Sequence, residues 1–177
     1  PRPVAADETI EWKAAQRGPE KFTAPSPLNF TSYNRRLLIT GEVPSEEAKA
    51  MIGEEAGKVE GVKLVFNEVA IAPASPLGNR SNDSYITSKL KARLVDSNQL
   101  SANHIKVVTE NTVAYLMGIV TEKEGKVAVQ IARTTDGVRK VVNVTEVVSE
   151  NDIKRIDSTA PGGYKTPPPA VAPVENR

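Results

Sequence analysis

The residues of this chain best placed to act on a partner are Tyr85, Lys89 and Arg93, which recur at helical spacing within residues 81–95. Ser81, Asn82 and Asp83 carry side-chain oxygens suited to capping a helix start, and apolar periodicity begins directly after them. At about 100° per residue, Ile86, Leu90 and Leu94 share one stripe, the expected core face. Tyr85 lies roughly 140° from the centre of that stripe, beside Lys89 and Ala92, with Arg93 on the flank. A phenol ring among cations suits a membrane–water interface, where the ring sits among headgroups and the cations meet lipid phosphates. The same ring would serve equally well packed against a neighbouring domain or lying over a lysine stem. The residues alone leave both readings open.

Other chemistry is poorly provided for. His104 is the sole histidine, so neither a multi-histidine metal site nor a triad needing a second imidazole can be assembled. Beside Ile105 in a strand, it reads as a half-exposed structural residue. There is no HExxH pair, no Walker lysine loop and no GxGxxG turn. The absence of cysteine removes disulfides, thiol catalysis and thiolate ligands together. Glu46, Glu47, Glu54 and Glu55 fall on solvated helix faces, where ionised carboxylates do no acid–base work. The asparagines of N-x-S/T patterns (Asn29, Asn79, Asn82 and Asn143) read as turn and cap residues. No catalytic constellation, metal site or cofactor is expected, and the chain reads as non-enzymatic.

The 177 residues suffice for one ordinary domain or two small ones. A net charge of +1 provides no global field that would demand nucleic acid, so any basic patch must be local. No apolar run approaches the ~20 residues needed to cross a bilayer. Starting at Pro1 without an initiator Met or signal sequence, the chain reads as a mature or trimmed product. Ten of the thirteen prolines lie before residue 28 or after residue 160, bracketing the globular part with extended or irregular backbone.

Residues 7–17 read as a short helix ended by Gly18-Pro19, with Trp12 as a packing anchor. Two strands, 28–34 and 35–43, turn at Asn34. A helix opened by Pro44-Ser45-Glu46-Glu47 follows, with Ala48, Met51, Ile52, Ala56 and Val59 inward. Residues 62–70 form a third strand, and 72–80 read as a linker. The pattern then repeats: a helix over 83–95, strands near 104–110 and 112–120 turning at Asn111, and a helix over 122–135 with Val127, Ala128, Ile131 and Ala132 inward. Gly137 leads into a last strand, 138–148. Asn34 and Asn111, like Gly41 and Gly118, stand 77 apart; Gly61 and Gly137, like Asn67 and Asn143, stand 76 apart. Two glycines and two asparagines keeping register across a one-residue shift establish an internal duplication.

The expected fold is therefore α+β: two tandem αββαβ modules, each a small mixed three-stranded sheet backed by two helices. Residues 1–6 form an N-terminal extension, 7–71 the first module, 72–80 the linker, 81–148 the second module and 149–177 a flexible Pro-rich tail. The copies differ in charge. Residues 45–58 sum to −2, whereas residues 83–95 sum to +2, and the second copy's other helix sets Lys123, Lys126 and Arg133 against Glu122 and Glu124. Near an anionic surface each such cation contributes on the order of 1 kcal/mol, enough for three or four of them around one inserted ring to bind usefully.

The stretch Tyr33-Asn34-Arg35-Arg36-Leu37-Leu38-Ile39-Thr40-Gly41, with Val59-Glu60-Gly61-Val62 and Asn67-Glu68, resembles the BON domain family. So do residues 107–118, Asp136-Gly137-Val138 and Val142-Asn143 in the second copy. Leu77-Gly78 and residues 81–89 and 115–122 are similar, more closely, to the dual-BON outer-membrane lipoproteins. The resemblance covers about residues 7–148. It implies an acylated protein on the periplasmic face of the outer membrane, anchored through a cysteine upstream of this chain. It also implies that the second module binds anionic phospholipid (phosphatidylglycerol or cardiolipin) through its first helix. Tyr85 stands where these lipoproteins have a membrane-inserting tryptophan, and Leu90 and Val95 match other lipid-proximal apolar positions. The wheel makes Lys89 and Arg93 the candidates for phosphate contact.

The expected function is that of a non-catalytic lipid-binding envelope lipoprotein supporting outer-membrane integrity. The alternative is a periplasmic protein-interaction scaffold within an envelope assembly, with outer-membrane or division-associated proteins as partners. Nucleic acid is not an expected partner, since the sheet is not studded with aromatics and the charge excess is small.

Overall fold

The computed structural model describes residues 4–17, 28–72, 78–100, 104–152 and 174–176. The chain divides into two compact units at residues 76 and 77, and each repeats one topology. The Gly18-Pro19 helix stop and most of the Pro-rich tail lie outside the described residues.

In module one, α1 (Val4–Arg17) buries Asp7, Ile10 and Ala14. That i, i+3, i+7 spacing makes one face. Trp12 falls about 200° round from Ile10 and is 65% exposed, so it is not the packing anchor its size implies. Strands β1 (Asn29–Tyr33) and β2 (Arg36–Thr40) form an antiparallel hairpin in which Phe30 faces Ile39. Asn34 and Arg35 both take positive φ (50° and 64°), the backbone a two-residue hairpin turn requires. After Gly41, β3 (Glu42–Val43) leads to α2 (Glu46–Gly57), whose first turn is capped by Ser45 accepting from the Ala48 N–H. Strand β4 (Leu64–Asn67) returns parallel to β2, and β5 (Ala70–Ile71) parallel to β3. Leu37, Ile39, Ile52 and Ala56 centre the core beneath α1 and α2. Met51 is 40% exposed, because Ala48, Ile52 and Ala56 complete the buried stripe of α2 without it.

Module two opens with α3 (Gly78–Asp96), which begins inside the expected linker and places Ser81, Asn82 and Asp83 within the helix instead of at its cap. Strands β6 (Ile105–Glu110) and β7 (Val113–Val120) pair antiparallel across Asn111 and Thr112, whose φ values of 49° and 65° repeat those of the first hairpin. Every residue of β7 is buried, on both faces. Helix α4 (Glu122–Arg133) starts with a complete capping box between Thr121 and Glu124. Strands β8 (Lys140–Asn143) and β9 (Glu146–Val147) lie parallel to β7, and β10 (Val174–Asn176) joins the free side of β8 antiparallel. His104 is buried, not half-exposed, where the chain enters β6.

The glycine register has a backbone cause. Gly41 and Gly118 sit at φ 125° and 145°, Gly61 and Gly137 at 93° and 95°. These are conformations that side chains with a Cβ rarely adopt.

Candidate functional site

Helix α3 is held by three contacts that settle which way its outer side points. Ile86, Leu90 and Leu94 are buried, Leu90 completely, and Leu90 and Leu94 meet Leu116, Ala128 and Val141 in the core. Leu90 is therefore a core residue and does not belong to the lipid-facing set; its period with Ile86 and Leu94 decides its direction. The Asp83 carboxylate accepts from the backbone N–H groups of Asn111 (2.7 Å) and Thr112 (2.9 Å), tying the helix to the hairpin turn. Asp7 does the same in module one, accepting from Asn34, Arg35 and the Ser32 hydroxyl. The opening helices of the two modules are thus equivalent.

The third contact uses the two cations. Lys89 Nζ donates to the Asp136 carbonyl at 2.8 Å. Arg93 forks over the end of α4, with Nη1 on the Ile131 carbonyl (2.8 Å) and Thr135 Oγ1 (2.6 Å) and Nη2 on Thr134 Oγ1 (3.0 Å). The C-terminal carbonyls of a helix carry partial negative charge, so Arg93 finds complementary charge at Ile131, while Lys89 ties α3 to the turn that follows α4. Replacing Arg93 by Ala is expected to lower the stability of module two by about 1–2 kcal/mol, read as a lower urea midpoint in lipid-free buffer.

What remains outward is a narrow strip. Tyr85 is 63% exposed and Val95 59% exposed, and both lie on α3. On the wheel they are about 80° apart, either side of the direction opposite the core, and about 15 Å apart along the axis. Ser88 and Ala92 fill the space between them and are exposed. Lys89 lies over the Tyr85 ring, 4.6 Å from its centroid, a cation–π contact. On the opposite flank Lys91 is exposed, with no hydrogen bond or ion pair among the described residues. Of the five candidate residues, the structure brings Tyr85, Lys89 and Val95 to the outer side, commits Arg93 chiefly to α4 and buries Leu90. Lys91 was not among them, although its position on the wheel, opposite Lys89 across the strip, marks it.

Val127 and Ile131 of α4 are half-buried; Ile131 packs against the core as expected, and Val127 is not among the core residues. They line an open groove of about 600 Å³ with Arg93, Lys126 and Gln130. No group of three or more acidic, histidine or cysteine side chains among the described residues could hold a metal ion. No helix among them is long and apolar enough to cross a membrane.

Residues 7–73 and 82–149 each match the BON domain family, together more than half of the chain. The chain belongs to the dual BON-domain, DolP-like family. It is 34% identical over 140 residues to the outer membrane lipoprotein DolP of Haemophilus influenzae, covering 78% of this chain and 72% of that protein. It is 31% identical over 144 residues to a 21 kDa hemolysin of Actinobacillus pleuropneumoniae (80% and 74%). It is 33% identical over 105 residues to the osmotically-inducible protein Y of Escherichia coli (59% and 47%). The two matched segments coincide with the two αββαβ units, and α3 opens the second BON domain.

Proposed function

We propose that this dual-BON protein is a non-catalytic envelope lipoprotein on the periplasmic face of the outer membrane. In this reading it binds anionic phospholipid, of the phosphatidylglycerol or cardiolipin kind, through the outer strip of α3 and so supports membrane integrity. The anchor would be a lipid-modified cysteine upstream of residue 1. One observation carries the reading. Among the described residues of module two, the large hydrophobic side chains left exposed are Tyr85 and Val95, and both project from one helix face. A helix laid flat on a bilayer presents this arrangement: apolar groups at either end of the contact, small residues between, cations along both flanks. Lys89 and Lys91 supply those flanks. The Lys89 ammonium has three donors, of which the Asp136 carbonyl takes one, so a phosphate oxygen can take another.

Vesicle co-sedimentation tests this directly. The protein is expected to bind phosphatidylglycerol vesicles, to bind phosphatidylcholine vesicles weakly, and to lose affinity as salt rises. Tyr85→Ala should weaken binding about tenfold and Tyr85→Trp should strengthen it, because an indole fills the interface better. Lys91→Glu exchanges an attraction for a repulsion, worth about 2 kcal/mol or roughly thirtyfold, without touching a fold contact. Equal binding to both vesicle types, unaltered by Tyr85→Ala, would replace the lipid reading with that of a protein scaffold.

A further inference from the structure

Helix α1 carries module one's counterpart of the α3 strip. Asp7, Ile10, Ala14 and Arg17 stand 76 residues before Asp83, Ile86, Leu90 and Arg93. Each pair is placed alike in its module. The aspartates accept from hairpin-turn N–H groups, and Ile10, Ala14, Ile86 and Leu90 are buried. Both arginines reach across to the other helix of their module, Arg17 to Glu55 at 3.1 Å and Arg93 to the Ile131 carbonyl at 2.8 Å. The outer faces of α1 and α3 therefore correspond, and Trp12 takes the place that Ser88 holds between Tyr85 and Val95. On the wheel it points within about 15° of the direction opposite the core. It is more exposed than Tyr85, and its indole N–H has no hydrogen bond among the described residues.

An indole left in water serves a protein partner or a bilayer, and its surroundings decide between them. A protein contact centred on a tryptophan sets the ring among packed side chains that exclude water. Trp12 is instead surrounded by Glu8, Thr9, Lys13 and Gln16, all exposed. A single ring among polar groups suits the headgroup layer, which takes the apolar body and offers ester and phosphate oxygens to the N–H. Glu8 and Lys13 carry opposite charges, so this face, unlike the α3 strip, has no net preference for an anionic surface. We propose that module one makes a bilayer contact of its own, in which Trp12 enters the headgroup region of phospholipid whatever its charge. This contact rests on the lipid reading above only in requiring that the chain meets a bilayer. Trp12 lies between the buried Ile10 and Ala14, so the core, and not the Asp7 contact, sets its direction.

Trp12 is the sole tryptophan of the chain, so indole fluorescence of the unmodified protein reports this position alone. Emission from protein bound to phosphatidylglycerol vesicles is expected to move to shorter wavelength. Brominated acyl chains should quench it, and aqueous iodide should no longer do so. Trp12→Ala should weaken binding to phosphatidylcholine vesicles about tenfold, and Trp12→Phe should recover part of that loss. Neither substitution should alter the salt dependence on phosphatidylglycerol vesicles. Unshifted emission from vesicle-bound protein, still open to iodide, would overturn the proposal; an indole kept for a protein partner gives that signal. Phosphatidylcholine binding that ignores Trp12→Ala would overturn it too. In either case, loss of phosphatidylglycerol binding in Tyr85→Ala would leave the α3 reading standing, whereas a chain that sediments with no vesicle would remove both.

Discussion

Gly118→Ala is expected to unfold module two at room temperature. A Cβ at residue 118 would overlap the His104 carbonyl and come within 3.0 Å of the Ile105 Cα, both backbone groups with no rotamer to escape into. The residue also holds φ 145°, where an alanine is strained whatever space surrounds it. Relief would require β6 to move away from β7 at Ile105, which pairs with Gly118. Backbone strain alone costs about 1–3 kcal/mol. Together with a lost strand contact the sum reaches the exceptional range above about 4 kcal/mol, comparable to the whole stability of a small domain. Gly57→Ala is the matching control. Its added Cβ meets nothing within 4 Å and it lies within α2, so replacement should be neutral or stabilise module one by about 0.5–1 kcal/mol. Thermal melts followed by circular dichroism should show one transition lost in the first variant and both retained in the second.

That glycine also shows how far the sequence could be read. Its register with Gly41 disclosed the duplication, because a positive φ is a local demand that only certain residues meet. The hairpin turns at Asn34 and Asn111 were legible for the same reason, as was the stripe of Ile86, Leu90 and Leu94. Contacts between distant segments were not. Asp83 reads as a helix cap by every local rule, and only the folded chain shows its carboxylate reaching the β6–β7 turn. The start of α3 was hidden because Gly78, Asn79, Arg80, Ser81 and Asn82 are mostly poor helix formers. Packing further along, not propensity, sustains that helix. Arg93 looked free on a wheel because the wheel contains no α4. The exposure of Tyr85 was legible, since the ring lies far from the core stripe; Val95 entered through the family resemblance, and the structure shows it exposed as well.

Asp83→Ala is expected to cost about 3–5 kcal/mol, more than any single substitution on the outer strip. The carboxylate is buried and accepts two backbone N–H groups of a turn whose residues both hold positive φ. Its removal leaves those donors without their charged acceptor, a loss counted once for each charge-assisted bond and again for the desolvated donors. Asp83→Asn keeps the shape and one acceptor oxygen, so it should recover about half of the loss. Asp7→Ala should do comparable damage in module one, where the carboxylate serves the Ser32 hydroxyl as well as the turn. Function gives the two sites different signatures. Asp83 stands two residues before Tyr85, so loosening it lets the helix start swing and blurs the presentation of the ring. Anionic vesicle binding should therefore fall in Asp83→Ala even at temperatures where α3 remains helical, while its salt dependence, set by Lys89 and Lys91, stays as in the wild type. Asp7→Ala, for equal loss of stability, should leave vesicle binding intact. If both variants lost binding in proportion to stability alone, the anchoring of α3 would be no more than a fold contact.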